Sequence, residues 1–259
     1  LRRIELLRPG DRSAALAHRD LHQGSGAHRR CTRHRPVDRV RDAQGGPELS
    51  RGDVEAALRK GLAALGLPGG ASPAGPLLAY LDLLARWNRT YNLTSVRDPL
   101  EMVPRHLLDS LAVLPFVGAG PLLDVGAGAG LPGIPLAIAN PVLKVTLVDS
   151  AGKKVRFMRH VKRALGLENI EPLHARIESL QPGEAFDSVI SRAFTSLAEF
   201  VASVRHLAVP GTRLLAMKGR RPDAEIGELP AWLSLDAVQE LRVPGLHEQR
   251  HLVIMSAKP

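Results

Sequence analysis

Apolar and polar positions divide the 259-residue chain into three stretches. Residues 1–49 are rich in Arg, His, Gly and Asp, with few aliphatics and no steady period beyond Leu21. So little apolar surface does not offset the entropy of ordering, so a disordered basic extension is expected there. From Ser50 a helical stripe begins, with Val54, Leu58, Leu62 and Leu65 on one face and Asp53 placed to share a cap with Ser50. Gly66 through Pro76 breaks the stripe. A second helix is predicted from Leu77 to about Asn88, carried by Leu78, Leu81, Leu84 and Ala85, followed by a polar and aromatic loop over 87–95. Asp98-Pro99 then starts a third helix bearing Arg105, His106 and Asp109. Residues 50–118 are therefore expected to form a helical cap.

Beyond residue 119 the period changes to short apolar runs. Strands are predicted near 121–125, 143–148, 169–174, 186–191, 212–217, 237–243 and 250–257, with helices between the first five pairs. The last two runs lie too close for a long crossover, so they should pair antiparallel. The class is α/β, a seven-stranded and mostly parallel sheet over 119–259.

The first two strands flank Asp124-Val125-Gly126-Ala127-Gly128-Ala129-Gly130, and the second delivers Asp149 at its carboxyl end. Glycines at 126, 128 and 130 let backbone turn sharply and approach a ligand. Ligands of open α/β sheets bind at this edge, and an acid after the second strand suits ribose hydroxyls. Pro132 suits the start of the following helix, whereas Pro135 argues for a late or irregular start. Gly128 to Gly133 also satisfies the dinucleotide pattern G-x-G-x-x-G. The acid-plus-G-x-G-x-G arrangement resembles S-adenosylmethionine-dependent methyltransferases more closely. Asp124 would repel a pyrophosphate and welcome a sulfonium.

Charge changes the picture of partners. A net +9 and a pI near 10.4 point to a polyanion. Residues 1–50 hold 11 basic against 6 acidic residues, a net of +5, which leaves +4 on the other 209. Lys153, Lys154, Arg156, Arg159, Lys162 and Arg163 crowd one predicted helix without an intervening acid, and Lys218, Arg220 and Arg221 extend the basic rim. RNA phosphates are the expected contact; a merely solvated face is the plain alternative. Cys31 is the only cysteine, which excludes a disulfide framework. His28, Cys31 and His34 lack a fourth ligand, so no metal is expected. No run reaches the ~18–20 apolar residues of a membrane span. The opening residues lack the apolar core of a signal peptide. A soluble cytoplasmic protein is expected.

Six separated motifs stand in one family's order. They are Arg86-Trp87-Asn88 with Tyr91-Asn92-Leu93-Thr94-Ser95, Arg105 to Ser110, Asp124 to Pro135, Asp149-Ser150 with Gly152-Lys153-Lys154, Ser191 to Phe194, and Lys218-Gly219. Over about 55–257 the chain resembles the RsmG (GidB) family of bacterial small-subunit rRNA methyltransferases. The resemblance implies a Rossmann-like class I methyltransferase fold with S-adenosyl-L-methionine as cofactor. It also implies methylation of N7 of one guanine in 16S rRNA near the decoding region, on naked RNA or an assembling small subunit, by a monomer without membrane attachment.

By the same resemblance Gly126 and Leu131 contact the cofactor, Gly128 and Gly130 shape the turn, Asp149 takes the ribose, and Ile177 and Glu178 lie near the adenine. Arg192 belongs to the cofactor site or holds a phosphate. Phe194, Asn92 and His106 are substrate-side candidates; Phe194 serves equally as a core aromatic, and His106 with Asp109 as a buried hydrogen-bonded pair. No residue is assigned as a base, since guanine N7 carries no proton. Two rival functions remain. A small-molecule methyltransferase would have a closed apolar acceptor pocket and no basic rim. A noncatalytic RNA-binding protein would have lost Gly126, Gly128 or Asp149.

Overall fold

Each strand at the centre of the sheet sends successive side chains to opposite faces, and both faces are apolar, as a sheet covered on both sides requires. The computed structural model describes residues 50–66, 73–181, 183–192, 194 and 196–259. The extension 1–49, with His28, Cys31 and His34, lies outside the described residues. The strands are β1 (Leu122–Val125), β2 (Val145–Asp149), β3 (Ile170–His174), β4 (Ser188–Ser191), β5 (Arg213–Lys218), β6 (Leu233–Glu240) and β7 (His251–Ala257). Their order is β3-β2-β1-β4-β5-β7-β6. The first five run parallel, and β7 inserts antiparallel between β5 and β6.

Leu122, Leu147, Ile190, Leu215 and Leu252 point to one face, where they join a core with α1 (Arg51–Leu65), α2 (Ala74–Tyr91), α5 (Gly133–Ala139) and α6 (Gly152–Leu165). Leu123, Val125, Val148, Val189 and Leu214 point to the other, covered mainly by α7 (Leu197–Val204). The two faces are thus unequally dressed. Among the described residues no α-helix joins β3 to β4, contrary to the pattern of helices expected between the first five pairs. A 3-10 turn, Ile177–Ser179, stands there and ends where Leu180 turns extended. Between β5 and β6 only the five-residue α8 (Asp223–Gly227) forms.

Local signals place the helix starts. Ser50 and Asp53 form a reciprocal capping box, and the Asp98 carboxylate accepts from Leu100 N–H at 2.8 Å; such caps are worth about 1 kcal/mol each. The α5 helix starts at Gly133, so Pro135 falls in the first turn, where its missing N–H is not needed. Several boundaries differ from expectation, α2 already starting at Ala74 instead of Leu77. The α2 helix runs on to Tyr91, absorbing residues read as loop, because Trp87 and Tyr91 stack one helical turn apart and Asn92 closes the helix at φ +49. Strand β2 starts at Val145, leaving Val142 exposed. Strand β6 starts at Leu233, several residues early; as an edge strand with mostly exposed side chains it carries a faint apolar signal.

The third helix is not a simple one. α3 (Pro99–Met102) passes through a π-helical segment, Val103–Leu108, into α4 (Asp109–Leu111). Asp109 N–H reaches back five residues to the Pro104 carbonyl. This widening carries Arg105 and His106 to the carboxyl edge of the sheet, and π-bulges of this kind recur at functional sites.

Candidate functional site

The loop after β1 is built from backbone. Gly126 and Ala127 N–H both donate to the Val148 carbonyl, at 2.9 and 3.1 Å, which pins the loop to the tip of β2. Gly126, Gly128 and Gly130 all have positive φ. At Gly130 (φ +85) a Cβ would also lie 2.2 Å from Ile134, so only glycine closes this turn. At Gly128 (φ +62) a Cβ would enter open space, with only the Gly126 carbonyl oxygen near, at 3.8 Å. A bare hollow therefore lies over that residue. From below, the fully buried Tyr80 donates its hydroxyl proton to the Ala129 carbonyl at 2.8 Å.

Two carboxylates frame the loop in different ways. Asp149 accepts Gly128 N–H through Oδ2 at 2.9 Å and Ala151 N–H through Oδ1 at 2.8 Å, and Lys154 Nζ lies 3.3 Å from Oδ2. Asp124 is sealed. Its Oδ2 accepts Gly133 N–H at 2.8 Å, while its Oδ1 has no hydrogen-bond partner among the described residues. Burial pushes its pKa up to about 7 against the pull of Gly133 N–H and the Arg192 charge; Asp149 adds to the rise. The expectation that Asp124 faces a ligand is corrected: it sets the loop and the local potential from beneath, without surface of its own.

A second hollow of about 370 Å³ opens at the ends of β4 and β5, and it is built from side chains. Arg105, His106, Asp109, Arg192, Lys218 and Arg250 supply its charged and titratable lining, together with His251. Asp109, only 3% exposed, bridges two arginines, with Arg192 Nη1 at 3.2 Å from Oδ2 and Arg250 Nε at 3.2 Å from Oδ1. Arg192 also donates to the Arg105 carbonyl at 3.3 Å. Arg105 pairs with Glu248 at 2.6 Å; the backbone N–H of Glu248 itself, and then that arginine, hold its carboxyl below the usual range. Burial and then the Arg192 charge push the His106 pKa down to about 4; the Arg105 carbonyl opposes this slightly without a hydrogen bond of normal geometry. His106 is therefore neutral near pH 7, its Nε2 2.8 Å from Thr94 Oγ1. Four cations face one buried anion across this hollow, and Arg192 links it electrostatically to Asp124.

The fold brings Gly126, Gly128, Gly130, Leu131 and Asp149 together at the loop. His106, Arg192 and Lys218 meet at the second hollow, Lys218 paired with Glu225 at 3.1 Å. Ile177 is buried in the turn after β3, and Glu178 beside it is exposed. Asn92 is not brought to either hollow; it is exposed, and its Oδ1 accepts from Arg97 at 2.6 Å. Phe194 packs on Phe200 at 5.5 Å between centroids, against the second core, which is the core role weighed above. Along α6, Lys153 and Arg156 are exposed while Lys154 turns back to Asp149. Arg220 is exposed past β5. Tyr80 and Arg250 went unread in the sequence: Tyr80 looks like any aromatic on a core stripe, and no local pattern surrounds Arg250.

A family model described as GidB, rRNA small subunit methyltransferase G, matches residues 75–253. The chain belongs to this family. A Ribosomal RNA small subunit methyltransferase G from Xanthomonas euvesicatoria pv. vesicatoria (strain 85-10) is 54% identical over 203 residues, 78% of this chain and 95% of the relative. Its counterpart from Stutzerimonas stutzeri (strain A1501) is 54% identical over 200 residues, 76% and 93% of the two chains. A solved S-adenosylmethionine-dependent methyltransferase from Aquifex aeolicus covers 63% of this chain and 96% of its own at 20% identity, with a TM-score of 0.49, a distance at which likeness carries no chemistry. The family match spans α2 through β7 almost entire, so both hollows lie inside it.

Proposed function

We propose that the chain transfers the methyl group of S-adenosylmethionine to N7 of one guanine in 16S rRNA. The observation that carries this reading is the pairing of an acid-framed, bare backbone loop with a cationic hollow, in a member of the family. The loop fits the cofactor. Space opens over Gly128, and Asp149 Oδ1, having taken only the Ala151 N–H, keeps a lone pair for a ribose hydroxyl, while Oδ2 already accepts from Gly128 N–H and Lys154 Nζ. Asp149 makes the neighbourhood negative, and Asp124, pushed up to about 7 by burial, adds to it only in its ionised form; this suits a sulfonium and opposes a pyrophosphate. When bound, the cofactor supplies an electrophilic methyl group on positively charged sulfur.

Guanine N7 would accept that methyl group with its free lone pair, and the positive charge would pass to the purine. No proton moves, so no residue has to act as a base. The chain has to align the reactants and tolerate charge at the purine. Asp109 holds Arg192 and Arg250 at the mouth of the second hollow, where guanidinium groups suit an acceptor phosphate or the methionine carboxylate. Ile177 and Glu178 are assigned to the adenine side. Lys153, Arg156, Lys218 and Arg220 supply phosphate contacts, with Lys154 shared with Asp149. The acceptor is taken as naked or partly assembled small-subunit RNA, met in the cytoplasm by a monomer whose residues 50–118 cap the transferase region.

Mapping N7-methylguanosine along 16S rRNA by reductive strand cleavage, after incubation with labelled cofactor, tests the reading. One labelled guanine that vanishes when the protein is left out is the expected result; label at another atom, or none, overturns it.

A further inference from the structure

Between α2 and α6 runs a ladder of rings that neither hollow uses. Trp87 meets Phe157, His160 and Tyr91 at interplanar angles of 57°, 33° and 34°, with centroids 5.5, 5.3 and 5.1 Å apart. Phe157 is fully buried and fixes the inner end. Tyr91 stands at the outer end, 38% exposed. Trp87 packs against the first core as a partly buried ring, and the ladder runs on from it to a ring that stays partly open among cations.

The surroundings are cationic. Arg156 and Arg163 stand four residues before and three after His160, hence beside it on the helix surface, and Arg159 is exposed next to them. The α6 helix contains no acidic residue. Arg97 Nη1 donates to the Asn88 carbonyl at 3.0 Å, which brings a further cation to the end of α2. Tyr91 closes α2, and five residues later Val96 lines the cationic hollow, so the two sites are at most about 18 Å of chain apart. Flat rings among arginines match one chemistry above others: unpaired bases on a polyanionic strand, since every base offers a π-face and every linkage a charge.

We propose that the Tyr91, Trp87 and His160 rings, bordered by Arg156, Arg159 and Arg163, form a stacking platform for unpaired nucleotides of the RNA substrate, leading its strand towards the cationic hollow. This rests on RNA being the partner, as argued above, and adds where and by what force an unpaired segment is held.

The chain has two tryptophans, and Trp232 stacks with Arg205 elsewhere, so Trp232→Phe leaves Trp87 as the sole reporter. Titrating that protein with a single-stranded RNA of about 12 nucleotides is expected to quench Trp87 emission. Tyr91→Ala and His160→Ala, checked for unchanged melting, are each expected to weaken binding roughly 5–30-fold with the salt slope intact, since stacking is worth about 1–2 kcal/mol per base. Arg156→Ala is expected to lower the slope by about one. Wild-type affinity in both ring variants overturns the proposal, and so does RNA binding without any change in Trp87 emission. RNA binding with quenching but no methyl transfer to 16S rRNA overturns the proposed function and leaves the platform standing. Methyl transfer that persists undiminished in both ring variants removes the platform alone.

Discussion

The two hollows share one edge of the sheet but are made from different material. Around the glycine loop, backbone N–H groups are held by carbonyls and two carboxylates, and apart from the Tyr80 brace the residues involved lie within one continuous run from Asp124 to Ala151. Around the cationic hollow, side chains do it: Asp109 draws Arg192 from 83 residues away and Arg250 from 141. The first is therefore rigid by backbone geometry and fails through loss of shape. The second is held by ion pairs and fails through loss of a single charge. The two also differ in sign, with carboxylates under the loop and guanidinium groups round the hollow.

Asp109→Ala is the hardest blow to that contrast. It leaves Arg192 and Arg250 without their shared anion, and breaking a buried pair in this way costs about 3 kcal/mol. Urea unfolding is expected to register that loss, with methyl transfer falling while cofactor affinity, measured by calorimetry, falls far less. Equal losses in both would mean that the hollows are one site.

The pH dependence separates the regions next. Asp124 titrates at about 7 in the fold against 3.8 ordinarily, so between those values the folded state binds the extra proton, and stability declines as pH rises through the window. His106 does the opposite. Its pKa drops from 6.5 to about 4, so the unfolded chain binds the extra proton and stability is lost as pH falls from 6.5 towards 4. The two slopes oppose each other in the wild type. Asp124→Asn is expected to gain stability relative to wild type as pH rises from 4 to 7, and His106→Leu to gain it as pH falls from 6.5 to 4. Parallel curves for wild type and both variants would refute the assignment.

Gly128→Ala is the mildest change and the most selective. A non-glycine residue at φ +62 costs about 1 kcal/mol of stability, and the added methyl group meets only the Gly126 carbonyl oxygen, at an ordinary contact distance of 3.8 Å, among the described residues. It does project into the hollow, so cofactor affinity is expected to drop at least tenfold by calorimetry. Unchanged affinity would move the cofactor off the loop.

Sequence reading fared unevenly across the two regions for the same reason. The caps at Ser50 and Asp98, the turn at Gly126 to Gly130 and the delivery of Asp149 by β2 all rest on contacts within a few residues or on a short repeat. The last turn of α2 and the early start of β6 were misread, because ring stacking and pairing with β7 override weak local signals there.

By itself the chain's order of residues determined the strand periods, the left-handed glycine turn and the acid beyond β2, because backbone sterics and alternation act over neighbouring positions. Only the tertiary structure decided that Asp124 is sealed under the loop, that Tyr80 braces it, that a π-helical widening turns His106 inward, and that one aspartate gathers two distant arginines. Those outcomes depend on burial and on charges meeting across the fold, quantities that do not exist until the strands have been stacked side by side.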